Sequence, residues 1–591
     1  MQRKDVKAEY TWKLTDIVGS DGEWEKRADA LFAEINLSKY AGKLSDKGTL
    51  LKYLRESDEL SIEFEKLAVY ANLKRDEDTR LTKYNAYNGK IDMIYSKFAT
   101  ETAFFEPELA ATDEKYLLEL IASPEFSDYS YQLEQLVKRK SHIVSESEEK
   151  IVALAGETLG TFSDIFAMID NADLPLPEIE IDGQKRKLTH GLYGLILHGS
   201  DRKAREEAYK KYYAAYLGLI NTITANYYGN VKKDVFLSRV YKFGSCLDYA
   251  LFAEDVDKKV YENLLKSIND NCGTMHRYIA DRKKILGYDK MYFYDVYAPL
   301  VSNVNISNTF EEAFDLVVEG LGVLGGEYQS LLKRAKAERW IDVEETEGKR
   351  NGAYSAGVYG VHPYVLLNYQ PTLNETFTIA HELGHALHTY FSQKNQPYAK
   401  SSYRIFVAEV ASTVNEVLLL KYLLKKFEDK EVKKYLLNYY LDSIRATMHR
   451  QTMFAEFEYA AHKEVEDGNP LTRENLCKIY AGIGKKYYGD AIEHDYEISC
   501  EWCRIPHFYS SFYVYKYATG IISAINIANS ILTKGDEAVK KYFAFLSGGS
   551  STDPVSLLKL AGVDLTDVKT FDFAMKEFEN TLNEFEKLMD I

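Results

Sequence analysis

Two histidines and a glutamate form a short motif, His381-Glu382-Leu383-Gly384-His385, whose spacing suits metal chemistry. On an α-helix, residues four apart lie on one face, so His381 and His385 can direct their imidazoles at a single cation. Glu382 can then accept a proton from water held at that cation. The arrangement, HExxH, indicates a zinc site that activates water for hydrolysis.

The residues around this motif predict a buried helix. Thr372 and Glu375, which follow Pro371, form a candidate capping box at its start. The neighbouring apolar positions are Ile379, Ala380, Leu383, Ala386 and Leu387. Burying two imidazoles and a carboxylate without partners is costly, and a bound cation removes that cost.

A catalytic zinc ion needs a third protein ligand and keeps one position for water. His388 lies seven residues after His381, but one straight helix cannot easily wrap three ligands around one ion. Glu409 lies in the apolar run Phe406–Thr413, where a lone carboxylate needs a compensating partner. We therefore predict Glu409, on a neighbouring helix, as the third ligand and His388 as a core or supporting histidine. Glu416 either hydrogen-bonds a ligating imidazole or is a surface or helix-pairing carboxylate.

Long stretches of the chain have the apolar recurrence at three and four residues that predicts helices. Only 11 of the 591 residues are proline, which permits many uninterrupted helices. The predicted helical stretches are 50–100, 200–230, 256–285, 309–338 and 414–462. We therefore predict a large, mainly α protein, long enough for two or more domains or one large elaborated one.

Two segments differ from this helical pattern. Residues 173–188 contain a Pro-rich step followed by an alternating stretch around Asp182-Gly183, which is typical of a short hairpin. This segment is the candidate boundary between an N-terminal helical region and the rest. Residues 341–371 combine glycines with the apolar run Tyr364–Tyr369, which predicts a loop, a strand and a small sheet near the histidine motif.

Composition and charge exclude several classes of partner. Hydrophobic residues make up 46% and charged residues 28% of the chain, as in an ordinary globular protein. The formal net charge of −16 disfavours nucleic acid and anionic lipid as partners. The sequence has no run of 18 apolar residues and no apolar leader, and its five cysteines are too few for a disulfide framework. We therefore expect a cytoplasmic protein without a membrane partner.

Several segments outside the HExxH helix add to its specificity. They are Trp12–Ile17 with Trp24, Gly352-Ala353, Pro363–Tyr369, Ala408–Ser412 and Arg504–Tyr517, which accompany the motif segment His381–His388. HExxH alone is shared by many zinc peptidases, but its combination with these flanks is specific. Together they resemble oligoendopeptidase F, of the thimet oligopeptidase superfamily, over nearly the whole chain.

The resemblance implies a zinc metalloendopeptidase that hydrolyses internal bonds of unstructured oligopeptides. It implies a mainly α fold with a deep substrate channel between an N-terminal helical region, 1–180, and a zincin-like catalytic region, 181–591. The three ligands of one zinc ion map onto His381, His385 and Glu409, and the general base maps onto Glu382. Neither the side-chain preference nor the oligomeric state follows from the sequence.

His507 and nearby tyrosines are candidates for stabilising an oxyanion. Tyr509, Tyr513 and Tyr517 share one face if their segment is a single helix. Their hydroxyls and the His507 imidazole could donate to the charge that develops on a carbonyl oxygen. The superfamily is understood to use a histidine and tyrosines from this region, so we assign His507, Tyr513 and Tyr517 to catalysis. An aromatic stripe that packs a core is the alternative.

The strand Tyr364–Tyr369 is the candidate for substrate binding. An edge strand beside a metal site can pair with an extended peptide backbone, which favours broad specificity. Gly352, Gly357 and Gly360 would let the preceding loop bend over the substrate, and an ordinary connecting turn is the alternative. The predicted substrate-binding residues are Gly352, Tyr364, Val365, Leu366 and Asn368.

Other functions stay open from the sequence. A carboxypeptidase with the same motif needs a basic residue for the terminal carboxylate, and Arg404 and Arg504 are candidates. A non-catalytic peptide-binding protein would hold structural zinc with four ligands and no base, and Glu382 counts against it. Cys500 and Cys503 have the spacing of a redox or metal pair, but two reduced structural thiols are the simpler interpretation.

Overall fold

The computed structural model describes residues 1–181, 183–301, 304 and 309–591. The chain forms two compact units, each built from three separate segments. Unit 1 comprises Met1–Ile143, Asn305–Leu423 and Ile527–Val563, and unit 2 comprises Val144–Val304, Leu424–Asn526 and Asp564–Ile591. The HExxH motif therefore belongs to unit 1 and His507 to unit 2. The division at residue 180 and the deep channel stay predictions.

Helices account for most of the described chain, as predicted. The first half contains α1 Asp21–Glu34, α2 Lys47–Glu77, α3 Thr82–Thr102, α4 Phe105–Ala110, α5 Glu114–Ile121, α6 Ser130–Lys140, α7 Glu146–Met168, α8 His190–Leu197, α9 Arg202–Gly218, α10 Ile220–Val240, α11 Cys246–Glu254, α12 Lys258–Asp270 and α13 Cys272–Leu286. The second half contains α14 Phe310–Gly320, α15 Gly326–Ala337, α16 Leu373–Asn395, α17 Tyr398–Ser401, α18 Ile405–Lys426, α19 Lys430–Ile444, α20 Arg450–Glu466, α21 Arg473–Tyr488, α22 Tyr496–Ser499, α23 Tyr515–Lys534, α24 Asp536–Leu546, α25 Pro554–Leu560 and α26 Val568–Met589.

Each predicted helical stretch contains more than one helix. The stretch predicted at 414–462 breaks after α18, because Asp429 accepts hydrogen bonds from the amides of Glu431 and Val432 and so starts α19. From α19 the helix continues into α20 through a π-helical turn, Arg445–His449. A cap of this kind starts a new helix without interrupting the apolar pattern, so periodicity alone did not reveal the break.

The hairpin predicted within residues 173–188 is present. Strands β1 (Glu178–Ile181) and β2 (Gln184–Lys187) pair in antiparallel fashion, with only two residues between them. Gly183 has a φ of 75°, as two-residue hairpin turns require. Asp182 lies outside the described residues.

The small sheet predicted near the HExxH helix is also present. Strands β3 (Ile341–Asp342), β4 (Tyr354–Ala356) and β5 (Tyr364–Leu366) are ordered β3-β5-β4, and both β4 and β5 contact α16. The prediction of an edge strand at Tyr364–Tyr369 is wrong. Strand β5 is central, parallel to β3 and antiparallel to β4, so its backbone is paired on both sides. The side chains of Tyr364, Val365 and Leu366 are also buried.

One helix among the described residues, Ser147–Asp173, is long and apolar enough to cross a membrane by length and composition. It combines α7 with the π-helical turn Ile169–Asp173, and its mean hydropathy over the most apolar window is 1.3. The absence of a membrane partner and the cytoplasmic location stay predictions.

Candidate metal centre

The HExxH motif lies on α16, which begins where the sequence predicts. The Thr372 hydroxyl accepts a hydrogen bond from the Glu375 amide and caps the helix. His381 and His385 are one turn apart, and their Nε2 atoms face each other at 3.1 Å. Two ring nitrogens in this arrangement are placed to share one cation.

Helix α18 brings Glu409 to the same point. Its Oε2 lies 3.5 Å from the Nε2 of His381 and 3.5 Å from the Nε2 of His385. Ligand atoms bonded to one tetrahedral zinc ion at about 2.0–2.2 Å are about 3.3–3.6 Å apart, close to the spacing found here. The three side chains are between 19% and 37% exposed, so water and a substrate can still reach the group.

The close approach of α16 and α18 determines this geometry. A Cβ atom at Gly384 would lie 2.5 Å from the Cα of Ser412, so only glycine fits between the two helices. Asn415 of α18 donates a hydrogen bond to the Ala380 carbonyl (3.0 Å) and accepts one from the Tyr328 hydroxyl (2.9 Å). Sequence reasoning missed Asn415, although a buried amide in an apolar helix signals a required partner.

Glu416 holds the His381 ring in position. Its Oε1 makes a short hydrogen bond with Nδ1 of His381, which confirms that Glu416 bonds this imidazole. A proton on Nδ1 leaves Nε2 free to bind a cation. Burial disfavours the charged ring, but hydrogen bonds to Glu409 and Glu416 outweigh it and raise the pKa of His381 to about 10.

The two imidazole rings stabilise the charged form of the Glu409 carboxyl. Burial raises the pKa of the Glu409 carboxyl, but hydrogen bonds from His381 and His385 outweigh burial and hold the pKa well below its usual range. Glu409 therefore stays ionised, as a metal ligand must. The concentrated negative charge of Glu409 and Glu416 around two imidazoles favours a cation at the point they share.

Glu382 is buried beside the two histidines, with 7% of its surface exposed. Within the described part of the chain its Oε2 has no hydrogen-bond partner. Burial raises the pKa of the carboxyl, while the charges of His381 and His385 oppose that shift. A buried carboxylate oxygen without a protein partner fits a group that receives a proton from water, so the residues present fit a catalytic metal.

His388 lies away from this group of ligands. Its ring stacks on Tyr403, with centroids 3.8 Å apart, and packs against Phe545. Burial lowers the pKa of the imidazole to about 3, so the ring is neutral. His388 is therefore a core histidine, the alternative to ligation that the sequence left open.

His507, Tyr513 and Tyr517 form a cluster of their own in unit 2. The Tyr517 hydroxyl lies 3.5 Å from Nε2 of His507, and the two tyrosine rings are 5.5 Å apart. The prediction that Tyr509, Tyr513 and Tyr517 share one helical face is wrong, because α23 begins only at Tyr515. Tyr509 is buried and stacks on Phe166 instead.

Asn368 and Gly352 lie at the loop that leads into β4. The Asn368 side-chain amide donates to the carbonyls of Arg350 (2.9 Å) and Gly352 (2.8 Å). Gly357, at the other end of β4, leaves no room for a Cβ because Thr389 of α16 would be 2.5 Å away. This edge strand is thus fixed against the helix that carries the histidines.

Arg504, a candidate for binding a terminal carboxylate, is already paired. Its guanidinium makes a short hydrogen bond to Glu501 and donates to the Tyr213 hydroxyl at 3.1 Å. A guanidinium with a buried carboxylate partner is a poor receptor for a second carboxylate. This removes one of the two candidate residues for a carboxypeptidase.

The chain is similar to known proteins over most of its length. The profile of the family described as Peptidase family M3 matches residues 195–577, and the profile described as Oligopeptidase F matches 108–175. Oligopeptidase PepF of Bacillus subtilis is 43% identical over 99% of this chain and 88% of its own length. Group B oligopeptidase PepB of Streptococcus agalactiae is 39% identical over 99% of this chain and 98% of its own length.

A solved structure shows the same likeness in three dimensions. The crystal structure of oligoendopeptidase-F from Enterococcus faecium is similar with a TM-score of 0.75 and 34% identity, and the match covers 96% of this chain and 99% of that one. The resemblance inferred from the motifs is thereby confirmed: the chain belongs to peptidase family M3 and, within it, to the oligoendopeptidase F group.

Proposed function

We propose that this protein is a zinc endopeptidase that hydrolyses internal bonds of unstructured oligopeptides. The observation that carries the proposal is the convergence of His381, His385 and Glu409 within bonding reach of one ion, beside the buried carboxylate of Glu382. The names of the similar proteins, oligopeptidase and oligoendopeptidase, support the substrate class.

In this mechanism the chain's own residues hold the metal and move the proton. His381, His385 and Glu409 would hold one zinc ion, and the bound ion would polarise the scissile carbonyl and lower the pKa of water. Glu382 takes a proton from the attacking water and later returns it to the leaving amine. Glu416 keeps the His381 tautomer fixed throughout.

We assign backbone recognition of the substrate to β4 instead of β5. Strand β4 lies at the edge of its sheet and against α16, whereas β5 is paired on both sides. A peptide that pairs with an edge strand is held by main-chain hydrogen bonds, which suits a broad range of sequences. In this proposal Gly352 and Asn368 position the strand, while Tyr364, Val365 and Leu366 support it from the core.

Replacing the proposed base tests the mechanism. Glu382→Gln removes the proton acceptor but no metal ligand, so we expect zinc content near one per chain and a fall in kcat of roughly 10²–10⁴-fold. Glu375→Gln, on the same helix, is the matched control and should keep activity. An active Glu382→Gln enzyme, measured with an internally quenched peptide, would falsify the base assignment.

Product mapping tests the class of peptidase. We expect a mixed peptide pool to be cut at internal bonds, and short peptides to be cut far faster than casein-like or folded proteins. Stepwise loss of single residues from one end, identified by mass spectrometry, would instead support a carboxypeptidase. Zinc bound without any cleavage would support a binding protein.

The assignment of His507, Tyr513 and Tyr517 to oxyanion stabilisation stays a prediction. Tyr513→Phe and Tyr517→Phe each remove one hydroxyl and keep the ring, so packing is retained. A lost oxyanion donor lowers kcat by roughly 10²–10³-fold with little change in KM. A Phe variant with wild-type kcat assigns that tyrosine to packing.

A further inference from the structure

Two buried cysteines of unit 2 lie in direct contact. The Sγ atoms of Cys477, on α21, and Cys500, directly after α22, are 3.2 Å apart. The sequence drew attention to Cys500 and Cys503, but the structure places Cys477 against Cys500 instead. All five cysteines of the chain are free thiols.

The two sulfurs differ in their readiness to react. The hydrogen bond between the two thiols lowers the pKa of Cys477, and Arg473 at the start of α21 acts in the same direction. The same hydrogen bond, together with burial, raises the pKa of Cys500. Cys477 is also the more accessible of the two, 9% exposed against 0%. Of the two thiols, Cys477 therefore has both the lower pKa and the greater exposure, the two properties that favour reaction.

The other three thiols lack this combination. Burial raises the pKa of Cys246, of Cys503 and of Cys272, the last to about 11. Protonated buried thiols react slowly with oxidants, so selectivity for one pair follows from the geometry and charge around it.

We propose that Cys477 and Cys500 form a peroxide-sensitive thiol pair that closes reversibly into a disulfide. The Cys477 thiolate attacks one oxygen of hydrogen peroxide, which breaks the O–O bond, leaves a sulfenic acid on Cys477 and releases hydroxide. The Cys500 sulfur then attacks that sulfenic sulfur, forms the S–S bond and expels water. In sum, two thiols lose two electrons and two protons, and one peroxide becomes two waters.

Little movement is needed for this reaction. A disulfide has an S–S distance of about 2.05 Å, so the two sulfurs must approach by only about 1.1 Å. The pair does not include a residue of the proposed metal site, and the inference holds whether or not the proposed peptidase mechanism is correct.

Oxidation of the purified, zinc-loaded full chain tests the proposal. After peroxide treatment, denaturation and thiol titration, we expect the count of free thiols to fall from five to three and to return to five with dithiothreitol. Digestion after glutamate separates Cys500 from Cys503, because Glu501 lies between them. The expected product is a cross-linked peptide pair containing Cys477 and Cys500. Five persisting thiols, or a bond to Cys503, overturn the proposal.

Single variants test the order of the two steps. Cys500→Ser should stop at a sulfenic acid on Cys477, which a dimedone probe traps, while Cys477→Ser should leave Cys500 reduced. Cys503→Ser is the matched control and should form the disulfide like the unmodified protein. A trapped sulfenic acid on Cys500 in place of Cys477 overturns the assigned order. If a variant does not fold, the identity of the cross-linked peptides from the wild-type protein alone tests the proposal.

Discussion

At the scale of single residues, His381 is fixed on both of its ring nitrogens. Nδ1 hydrogen-bonds Glu416, and Nε2 faces the candidate ligand atoms of His385 and Glu409. The sequence revealed His381 and His385 because their spacing is local and histidine is scarce, with 12 copies in the chain. The role of Glu416 stayed open, because its distance from His381 depends on how two helices separated in sequence pack together.

Loss of the Glu416 carboxylate should weaken metal binding. Removing a partner that orients a metal-bound histidine costs roughly 10–100-fold in affinity, so we expect Glu416→Ala to raise the Kd for zinc within that range. Competition with a calibrated chelator measures the change. Glu428→Ala, at an exposed glutamate, is the control. A Kd equal to that of the unmodified protein would show that Glu416 serves only to pair the helices.

At the scale of secondary structure, the periodic apolar pattern predicted the helical segments but not their ends. Breaks such as the one at Asp429 depend on single side-chain caps. The strand at 364–366 was recognised, yet its central place in the sheet was not. Three residues carry no periodic signal, and pairing with Ile341–Asp342 and Tyr354–Ala356 is decided by distant parts of the chain.

Gly384 sets the separation of α16 and α18, the two helices of the proposed metal site. Gly384→Ala places a methyl group against the backbone of Ser412, so we expect a loss of about 1–3 kcal/mol in the free energy of unfolding and weaker zinc binding. Denaturant unfolding and metal titration measure the two effects. Gly482→Ala on α21 is the matched control, because a Cβ atom at this position would have no other atom within 4 Å. That change should stabilise by about 0.4–1 kcal/mol. Equal effects of the two variants would contradict the packing argument.

At the scale of the whole molecule, a buried acid in unit 2 links folding to pH. Glu458 of α20 accepts a hydrogen bond from the Phe512 amide (2.6 Å), and burial raises the pKa of its carboxyl to about 8. The charged groups that act on it are His462, Asp234 and Lys516. The pKa of His462 is also raised, because its hydrogen bond and charge interaction with Asp234 outweigh burial.

The sign of this pH dependence follows from proton counting. Unfolded Glu458 loses its proton near pH 4.3, so between that pH and about 8 the folded state holds an extra proton. The free energy of unfolding should therefore fall as pH rises through this window and level off above it. His462, with a raised pKa, contributes in the same direction. Glu458→Gln should reduce the slope, and Glu464→Gln on the same helix should not. Urea unfolding from pH 5 to 9 measures the slope, and an unchanged slope for Glu458→Gln contradicts the prediction.

Local sequence patterns could not show which segments of the chain make up each of the two units. Each unit consists of three stretches of chain that are far apart in sequence and are grouped by the proximity of their Cα atoms. A Pro-rich segment is a local signal, and it marks the hairpin at β1 and β2 without showing which distant segments pack together. Contacts of long sequence separation leave no trace in a single sequence.

The interleaved order of these segments has a consequence for synthesis on the ribosome. The helix with the two histidines ends at Asn395, but α24, which packs on it and brings Phe545 against His388, ends at Leu546. At a synthesis rate of about 5–20 residues per second, roughly 8–30 s pass between the synthesis of α16 and that of α24, which covers its apolar side. The nascent chain therefore exposes an apolar helix face during translation, and we expect chaperones that act on ribosome-bound chains to bind it.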